Sequence, residues 1–199
     1  MKIIKITKDN TQLLVEKVSE IIRNNGVVIL PFDTVYGYAC NPKSDAALQK
    51  IFELKKRDLE KTIGLATSEI KDIQKISQLD INTEKYIKDR IPGRYTFIVK
   101  TKKDISISKL CFKNDTIGVR VPESKLISDI IQSSDGIIAQ TSANKSGLLD
   151  CYSVNELRAQ YSENELNQVD LIVDGGEIEK NNPSRIFDLT SKESVEIKR

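Results

Sequence analysis

The chain has 199 residues, 39% of them hydrophobic and 30% charged, and its formal net charge is +2. This length and composition predict one globular domain over residues 1–199, and the small net charge argues against a strong overall attraction to nucleic acid. No apolar run approaches the roughly 18 residues of a membrane span, and the first residues lack the apolar core of a signal peptide. Three widely separated cysteines, Cys40, Cys111 and Cys151, favour reduced thiols in a cytoplasmic protein.

The sequence contains no histidine. Nucleophilic catalysis by a serine–histidine or cysteine–histidine pair is therefore excluded, and so is a zinc site with histidine ligands. Any chemistry must depend on lysine, arginine, hydroxyl and carboxylate groups, with Mg²⁺ as the metal that such groups hold loosely.

Taken in chain order, the sequence predicts alternating strands and helices at first and mostly strands towards the end. Helical spacing of apolar residues predicts helices over residues 13–22, 44–55, 69–77, 83–89 and 126–131, and one more that starts at a capping box formed by Ser153 and Glu156. Apolar, β-branched runs predict strands at residues 2–7, 27–30, 61–66, 95–100, 116–121, 137–140, 171–173, 185–189 and 195–198. This order predicts an α/β fold with an open, twisted mixed sheet and flanking helices.

The stretch of residues 26–38 organises this pattern. Its apolar strand stops at Pro31, and Asp33, Thr34 and Tyr36 follow in a turn that closes at Gly37. Small polar groups directly after a buried strand are typical of a ligand site at the carboxyl end of that strand. An ordinary strand and loop is the competing interpretation of this stretch alone.

Three cations lie close together where a predicted helix gives way to a loop: Lys55, Arg57 and Lys61. One interpretation is that they only complement the negative end of the helix dipole. The other is a clamp for phosphate or carboxylate, in which arginine supplies a planar fork and the lysines supply point charges.

Two further segments carry polar groups that suit a ligand. Thr116 and Arg120 fall on one face of a predicted strand, and a charged arginine in an apolar run should face a groove or an anion. Residues 141–144 place two hydroxyls and an amide in a predicted turn after a strand. The sequence has neither of the two common glycine-rich nucleotide motifs, GxxxxGK[ST] and GxGxxG.

Taken together and in order, these segments resemble the YrdC-like family, which contains the threonylcarbamoyl-AMP synthases. The resemblance covers nearly the whole chain and rests on the following motifs: Pro31-x-Asp33-Thr34-Val35-Tyr36-Gly37, Lys55-x-Arg57, Pro92-Gly93-x-x-Thr96, Gly118-Val119-Arg120-Val121-Pro122, Thr141-Ser142-Ala143-Asn144-x-Ser146-Gly147, Asp174-Gly175-Gly176 and Pro183-Ser184. It implies the short, single-domain form of a fold in which an open sheet surrounds a positively charged cavity.

The resemblance also implies a reaction and its partners. L-threonine, bicarbonate and ATP would give threonylcarbamoyl-AMP and pyrophosphate, and a partner enzyme would transfer the threonylcarbamoyl group to tRNA. The carbamate is itself the nucleophile, so the protein need supply only positioning, charge neutralisation and water exclusion. Mg²⁺ would bridge the phosphates without a metal cage formed by the protein.

Carried over position by position, the family's functional residues fall into three groups. Lys55 and Arg57 would be catalytic. Thr34, Tyr36, Arg120 and Ser184 would bind threonine. The nucleotide would be bound by Arg57, Lys61, Thr116, Ser142, Asn144 and Arg199.

The sequence departs from the family pattern at a few positions, and two other interpretations stay open. Phe32, Ala66 and Arg185 are unusual, Arg185 because it would add a charge beside the threonine pocket, and the sequence lacks a glycine after Arg199. A binding module for RNA or nucleotide without catalysis is one alternative, and a YciO-like branch of the same fold is the other. Lys55-x-Arg57 together with residues 142–144 favours the synthase branch.

Overall fold

The structure, a computed structural model, describes residues 2–180, 184–191 and 194–197. Its helices are α1 (Thr11–Arg23), α2 (Asp45–Lys55), α3 (Ile70–Ile76), α4 (Ile81–Lys88), α5 (Lys125–Ser133), α6 (Val154–Gln160) and α7 (Glu163–Leu166). Its strands are β1 (Ile3–Lys5), β2 (Val28–Pro31), β3 (Tyr36–Cys40), β4 (Gly64–Thr67), β5 (Tyr95–Lys100), β6 (Phe112–Lys113), β7 (Thr116–Arg120), β8 (Ile137–Ser142), β9 (Leu171–Asp174), β10 (Arg185–Asp188) and β11 (Val195–Ile197).

The described strands form one open mixed sheet, as the sequence predicts. Its order is β1-β9-β2-β3-β8-β4-β7-β5-β10-β11, with the short β6 added beside β7. The pairs β1–β9, β9–β2, β4–β7 and β5–β10 are parallel, and the other neighbouring pairs are antiparallel. The chain therefore returns repeatedly to the middle of the sheet, where β3, β8, β4 and β7 lie side by side.

One face of the sheet is covered by α2, α3, α4, α6 and α7. Their buried side chains, among them Leu48, Ile73, Ile87 and Leu157, share one core cluster with the sheet. Helix α2 begins directly after Ser44, because the Ser44 side chain caps the helix by accepting a hydrogen bond from Ala47 N. This layer makes the larger of the two cores.

The other face is covered over only part of its width. Helices α1 and α5 pack against each other and against β2, β9, the start of β8 and the end of β4. In α1 the residues that reach this core, Leu14, Val18 and Ile22 among them, recur at the spacing of one helix face. Among the described elements, no helix lies over the remainder of this face, where β4, β7, β5 and β10 run next to one another.

Several predicted element boundaries were wrong. Tyr36 and Gly37, predicted to close a turn, instead begin the strand β3, which pairs with β2 on one side and β8 on the other. Strand β8 runs on to Ser142, so Thr141 and Ser142 are strand residues and not part of a turn. The predicted box at Ser153 is half formed, since Glu156 accepts from Tyr152 N, and the complete capping box is Ser162 with Glu165.

Two simpler predictions have direct counterparts in the structure. The three cysteines are buried and unbridged. Within the described ranges, every helix is too short or too polar to pass through a lipid bilayer.

Candidate active site

A cavity of about 530 Å³ lies on the part of the sheet that α1 and α5 leave uncovered. Its floor is a row of residues at matching positions of four neighbouring strands: Gln140 pairs with Gly64, and Gly118 pairs with Ile98. A Cβ atom on Gly64 would stand 3.3 Å from Gly118 O, so the two glycines adjoin. Because the two middle positions of the row have no side chain, a ligand can approach the backbone of the sheet there.

The cavity has an excess of positive charge. Four cations line it, Arg57, Lys61, Lys113 and Arg120, against the carboxylate of Asp150 within the described lining. Lys113 is paired with Glu60, an exposed partner at 2.6 Å. Hydroxyl and carbonyl groups complete the walls, so the cavity suits an anionic ligand rich in oxygen atoms.

A buried ion pair forms one wall. Arg120 Nη2 lies 2.6 Å from Asp33 Oδ1, and both side chains are 6% exposed. The second carboxylate oxygen accepts from Glu123 N at 3.3 Å, and Arg120 Nη1 donates to Thr34 Oγ1 at 3.3 Å. Arg120 therefore faces both an anion and the cavity, as the sequence predicts. Because Thr34 accepts this bond, its hydroxyl proton is left to donate to a ligand.

Arg57 reaches the cavity because of the way that α2 ends. Lys56 adopts a left-handed conformation (φ 49°), and Arg57 N donates to Phe52 O at 2.9 Å. This helix-ending turn leads the chain away from the helix axis directly after Lys55. Arg57 Nη2 then donates to Thr62 O at 2.9 Å, which anchors the guanidinium at the cavity. Burial lowers the pKa of Arg57, so an anionic partner stabilises it here.

Lys55 does not line the cavity, although it lies only two residues from Arg57. Its ammonium group is buried and donates to three oxygens: Ser142 O, Asn144 O at 2.7 Å and Asn144 Oδ1 at 3.2 Å. Ser142 Oγ in turn donates to Asn144 Oδ1 at 2.6 Å. Ser142 therefore presents lone pairs to the cavity, while Lys55 and Asn144 hold it from behind. The structure therefore does not bring Lys55, which was predicted to be catalytic, to the cavity wall.

Two effects oppose each other at Lys55. Burial, followed by the nearby positive charge of Arg57, lowers the pKa of Lys55 to about 7. The three oxygen acceptors favour the charged ammonium form. The pKa of Lys55 is lowered on balance. The cost of burying the ammonium charge beside a second cation exceeds the stabilisation that the neutral oxygen acceptors provide.

Tyr36 is also placed outside the cavity. The side chain is fully buried, and its hydroxyl donates to Gly176 O at 2.8 Å and accepts from Gly175 N at 2.9 Å. Burial raises the pKa of Tyr36 to about 12, so the phenol stays neutral. The predicted contact with threonine is therefore corrected: Tyr36 ties the turn after β9 to the central hairpin.

Most of the remaining predicted site residues line the cavity. Lys61, Thr116 and Ser184 line the cavity with Ser142, and Ser184 Oγ lies 3.0 Å from Thr96 Oγ1. Arg199, predicted to contact the nucleotide, lies outside the described residues. The cavity lining thus brings together seven predicted residues: Thr34, Arg57, Lys61, Thr116, Arg120, Ser142 and Ser184.

The unusual residues of the sequence do not enter the cavity lining. Arg185, the first residue of β10, lies between the lining residues Ser184 and Ile186 and therefore points to the opposite face, where it forms a two-point ion pair with Glu196 at 2.6–2.8 Å. Ala66 is buried beneath α5, and Phe32 belongs to the same core. The expectation that Arg185 adds charge to the threonine pocket was wrong.

Sequence reasoning missed Asp33 as the partner of Arg120, and it also missed Lys113, Thr96 and the glycine floor. Strand alternation carries the signal for Thr96, since it stands on the cavity side of β5 two residues before Ile98. Asp33 gives no such signal, because the contact joins segments 87 residues apart in sequence.

Comparison with known proteins agrees with this fold. The family model of the Sua5, YciO and YrdC proteins, described as "Telomere recombination", matches residues 20–199. The chain belongs to this family, and the resemblance inferred from its motifs is confirmed.

Relatives and solved structures extend the match. The human protein named threonylcarbamoyl-AMP synthase is 29% identical over 168 residues, which cover 84% of this chain and 57% of that protein. The chain thus spans little more than half the length of this relative. The crystal structure of P. abyssi Sua5 complexed with L-threonine has a TM-score of 0.88 at 24% identity, covering 98% of this chain and 56% of that one. E. coli YciO has a TM-score of 0.83 at 25% identity, with 98% and 93% covered.

The buried ion pair generates a stability prediction. Asp33→Asn should lower the free energy of unfolding by about 3–5 kcal/mol, because it leaves the Arg120 charge buried without its carboxylate. Urea denaturation monitored by circular dichroism measures the loss. The double variant Asp33→Asn/Arg120→Met, which removes both charges, should regain much of it. A single variant as stable as the wild type would show that the pair is not a structural constraint.

Lys55 generates a prediction about pH. Below pH 7 the amine is protonated in both the folded and the unfolded chain, whereas between pH 7 and 10.5 the unfolded chain binds more protons. The stability of the wild type relative to Lys55→Met should therefore rise with pH across this window, by at most about 1.4 kcal/mol per pH unit. Denaturation of both proteins at pH 7, 8.5 and 10 measures this difference. A flat difference would mean that the three oxygens keep the ammonium charged.

Proposed function

We propose that this protein is a threonylcarbamoyl-AMP synthase acting in the threonylcarbamoyl modification of tRNA. The observation that carries the proposal is a cavity with four cations and several hydroxyls above a floor of two glycines, in a chain without histidine. The human relative is named for this activity, and P. abyssi Sua5, which shares the fold, binds L-threonine. Charge neutralisation and positioning are the means that such a cavity offers.

The proposed reaction needs no covalent bond to the protein. The amino nitrogen of threonine attacks the carbon of bicarbonate, water leaves, and a carbamate forms. A carbamate oxygen then bonds to the α-phosphorus of ATP while the bond from that phosphorus to the bridging oxygen breaks, and pyrophosphate leaves. Negative charge accumulates on the phosphate oxygens throughout, which is the charge that fixed cations stabilise.

The wall beside the ion pair suits the threonine end. Arg120 offers the guanidinium, and Thr34 offers a hydroxyl proton directly beside it. On the neighbouring strand β5, Thr96 lies one position beyond the Phe97–Val119 pair and therefore beside Arg120. The Thr96 and Ser184 hydroxyls lie 3.0 Å apart and can bond to a second polar group. We propose that the threonine carboxylate lies at Arg120 and that its hydroxyl or amine faces Thr96 and Ser184.

The opposite end suits the nucleotide. Arg57 and Lys61 lie on the segment after α2, and Lys113 and Thr116 lie on β6 and β7. Arg57 is fixed by Thr62 O, so it is the preorganised donor for the phosphate that reacts. Asp150 is the carboxylate in the described lining, and we propose that Mg²⁺ is held chiefly by phosphate oxygens. Transfer to tRNA by a partner enzyme completes the proposal.

The similarity to E. coli YciO means that a YciO-like protein is the alternative to a synthase. What favours the synthase here is the connected set of Lys55, Ser142 and Asn144, which places an acceptor oxygen at the nucleotide end.

Omitting substrates one at a time tests the activity. Pyrophosphate release from ATP should require both L-threonine and bicarbonate, because the attacking oxygen exists only in their carbamate. The measurement is a coupled pyrophosphate assay with each component left out, and with serine and valine in place of threonine. Equal release without threonine would make the protein a nucleotide hydrolase, and binding of ATP without turnover would make it a binding module.

Arg57 is the sharpest site variant. Arg57→Ala should stay folded and lose roughly 10²–10³-fold in turnover, because one preorganised donor at the reacting phosphate is removed. Arg57→Lys should recover only part of this, since the charge returns without the fork.

The matched control is Lys56→Gln, which removes the exposed neighbouring cation that does not line the cavity. Pyrophosphate release and thermal unfolding are measured on all three variants. If Arg57→Ala kept full turnover, the cation cluster would serve only the end of the helix.

A further inference from the structure

A second pocket, separate from the cavity described above, lies where the C-terminal ends of α1, α3 and α5 meet the loop of residues 102–107. It encloses about 340 Å³ and shares no lining residue with the first cavity. We call it the lysine-rich pocket. Its volume falls at the lower end of the range of about 300–1,000 Å³ that is usual for small-molecule sites.

The floor of the lysine-rich pocket is apolar. It consists of the isoleucines Ile22, Ile76, Ile105, Ile107 and Ile137. The first two belong to the buried core, and the other three are only half-buried, so they keep apolar surface in contact with water. A ligand with an apolar body would remove that surface from water, at a gain of about 25 cal/mol per Å².

The rim carries an excess of cations: Arg23, Lys43, Lys75, Lys102 and Lys103 stand against the two carboxylates of Asp104 and Asp135. Arg23 donates to Ser133 O, and Lys75 is paired with Asp72 at 2.7 Å. These two lie at helix ends and complement the helix dipoles. Lys43, Lys102 and Lys103 lie outside helices and have no ion pair within the described part of the chain, so dipole complementation does not account for them.

One polar group of the pocket is buried without a partner. Ser134 follows α5, is 4% exposed and lines the pocket, and its Oγ has no hydrogen-bond partner among residues 2–180, 184–191 and 194–197. A buried hydroxyl without a partner is unfavourable, because it has given up its hydrogen bonds to water without replacing them. An oxygen of a bound ligand would satisfy it.

We propose that the lysine-rich pocket binds a small organic anion that has an apolar body and one carboxylate, sulfonate or phosphate group. The apolar body lies on the isoleucine floor, and the anionic group faces Lys102 and Lys103 at the rim, with an oxygen directed to Ser134. The site is distinct from the nucleotide cavity in position and in ligand, and it holds whether or not the proposed synthase activity does.

Isoleucine methyl NMR locates the ligand directly, because each cavity has its own isoleucines. The probe is 8-anilinonaphthalene-1-sulfonate, an apolar anion, added to the full chain. On addition of the probe, the methyl signals of Ile105 and Ile107 should shift. Those of Ile98 and Ile186, which line the first cavity, should not. Shifts confined to Ile98 and Ile186 would overturn the proposal.

Charge variants test the rim. Lys102→Glu/Lys103→Glu should weaken binding of the probe by about tenfold, through loss of two attractions and gain of two repulsions. The neutral probe N-phenyl-1-naphthylamine should bind both proteins within about twofold of each other. The matched control is Lys85→Glu, an exposed lysine of α4 outside either pocket, which should bind the anionic probe like the wild type. Unchanged binding in the double variant would overturn the proposal.

Discussion

The wall of the large cavity depends on one desolvated contact, the ion pair between Asp33 and Arg120. Asp33 belongs to the connection between β2 and β3, whereas Arg120 ends β7, and β3, β8 and β4 lie between those strands in the sheet. The pair can form only if this connection folds back over the face of the sheet. Because an unpaired charge is costly at 6% exposure, the chain has few alternatives to that closed arrangement. The same contact fixes Thr34 beside the guanidinium.

Lys55 and Arg57 are neighbours in sequence, but one is buried in the core and the other lines the cavity. Lys55 ends α2 inside the core and donates to backbone and amide oxygens, while Arg57 emerges into the cavity after a single left-handed residue. Both carry positive charge near the same cavity, but only Arg57 lines it. Lys55 instead holds residues 142 and 144 in place, and the turn at Lys56 separates the two cations.

Much of the sheet could be predicted from sequence, because hydrophobic period and turn residues are local signals. Thr116 and Arg120 were placed together correctly by strand alternation alone. Alternation also places the side chains of Ser184 and Arg185 on opposite faces of the sheet. The prediction that Arg185 adds charge beside the pocket overlooked this alternation. The roles of Tyr36, Lys55 and Asn144 could not be predicted, since polar groups that support a site and those that touch a ligand have the same composition. Only tertiary packing separates them.

Lys55 is buried behind the cavity wall, and its protonation state decides how many of the surrounding oxygens it can bond to. Within the described residues its pKa of about 7 is the one shifted closest to neutrality, and the group does not touch the cavity. As an ammonium it has three N–H donors for three oxygens, and as a neutral amine it has two. Loss of the proton would leave three oxygens with two donors, so one of the oxygens on Ser142 or Asn144 would lose its hydrogen bond. The protonation state of Lys55 in the core would in this way be linked to the hydrogen bonding of the segment that carries Ser142 to the cavity wall.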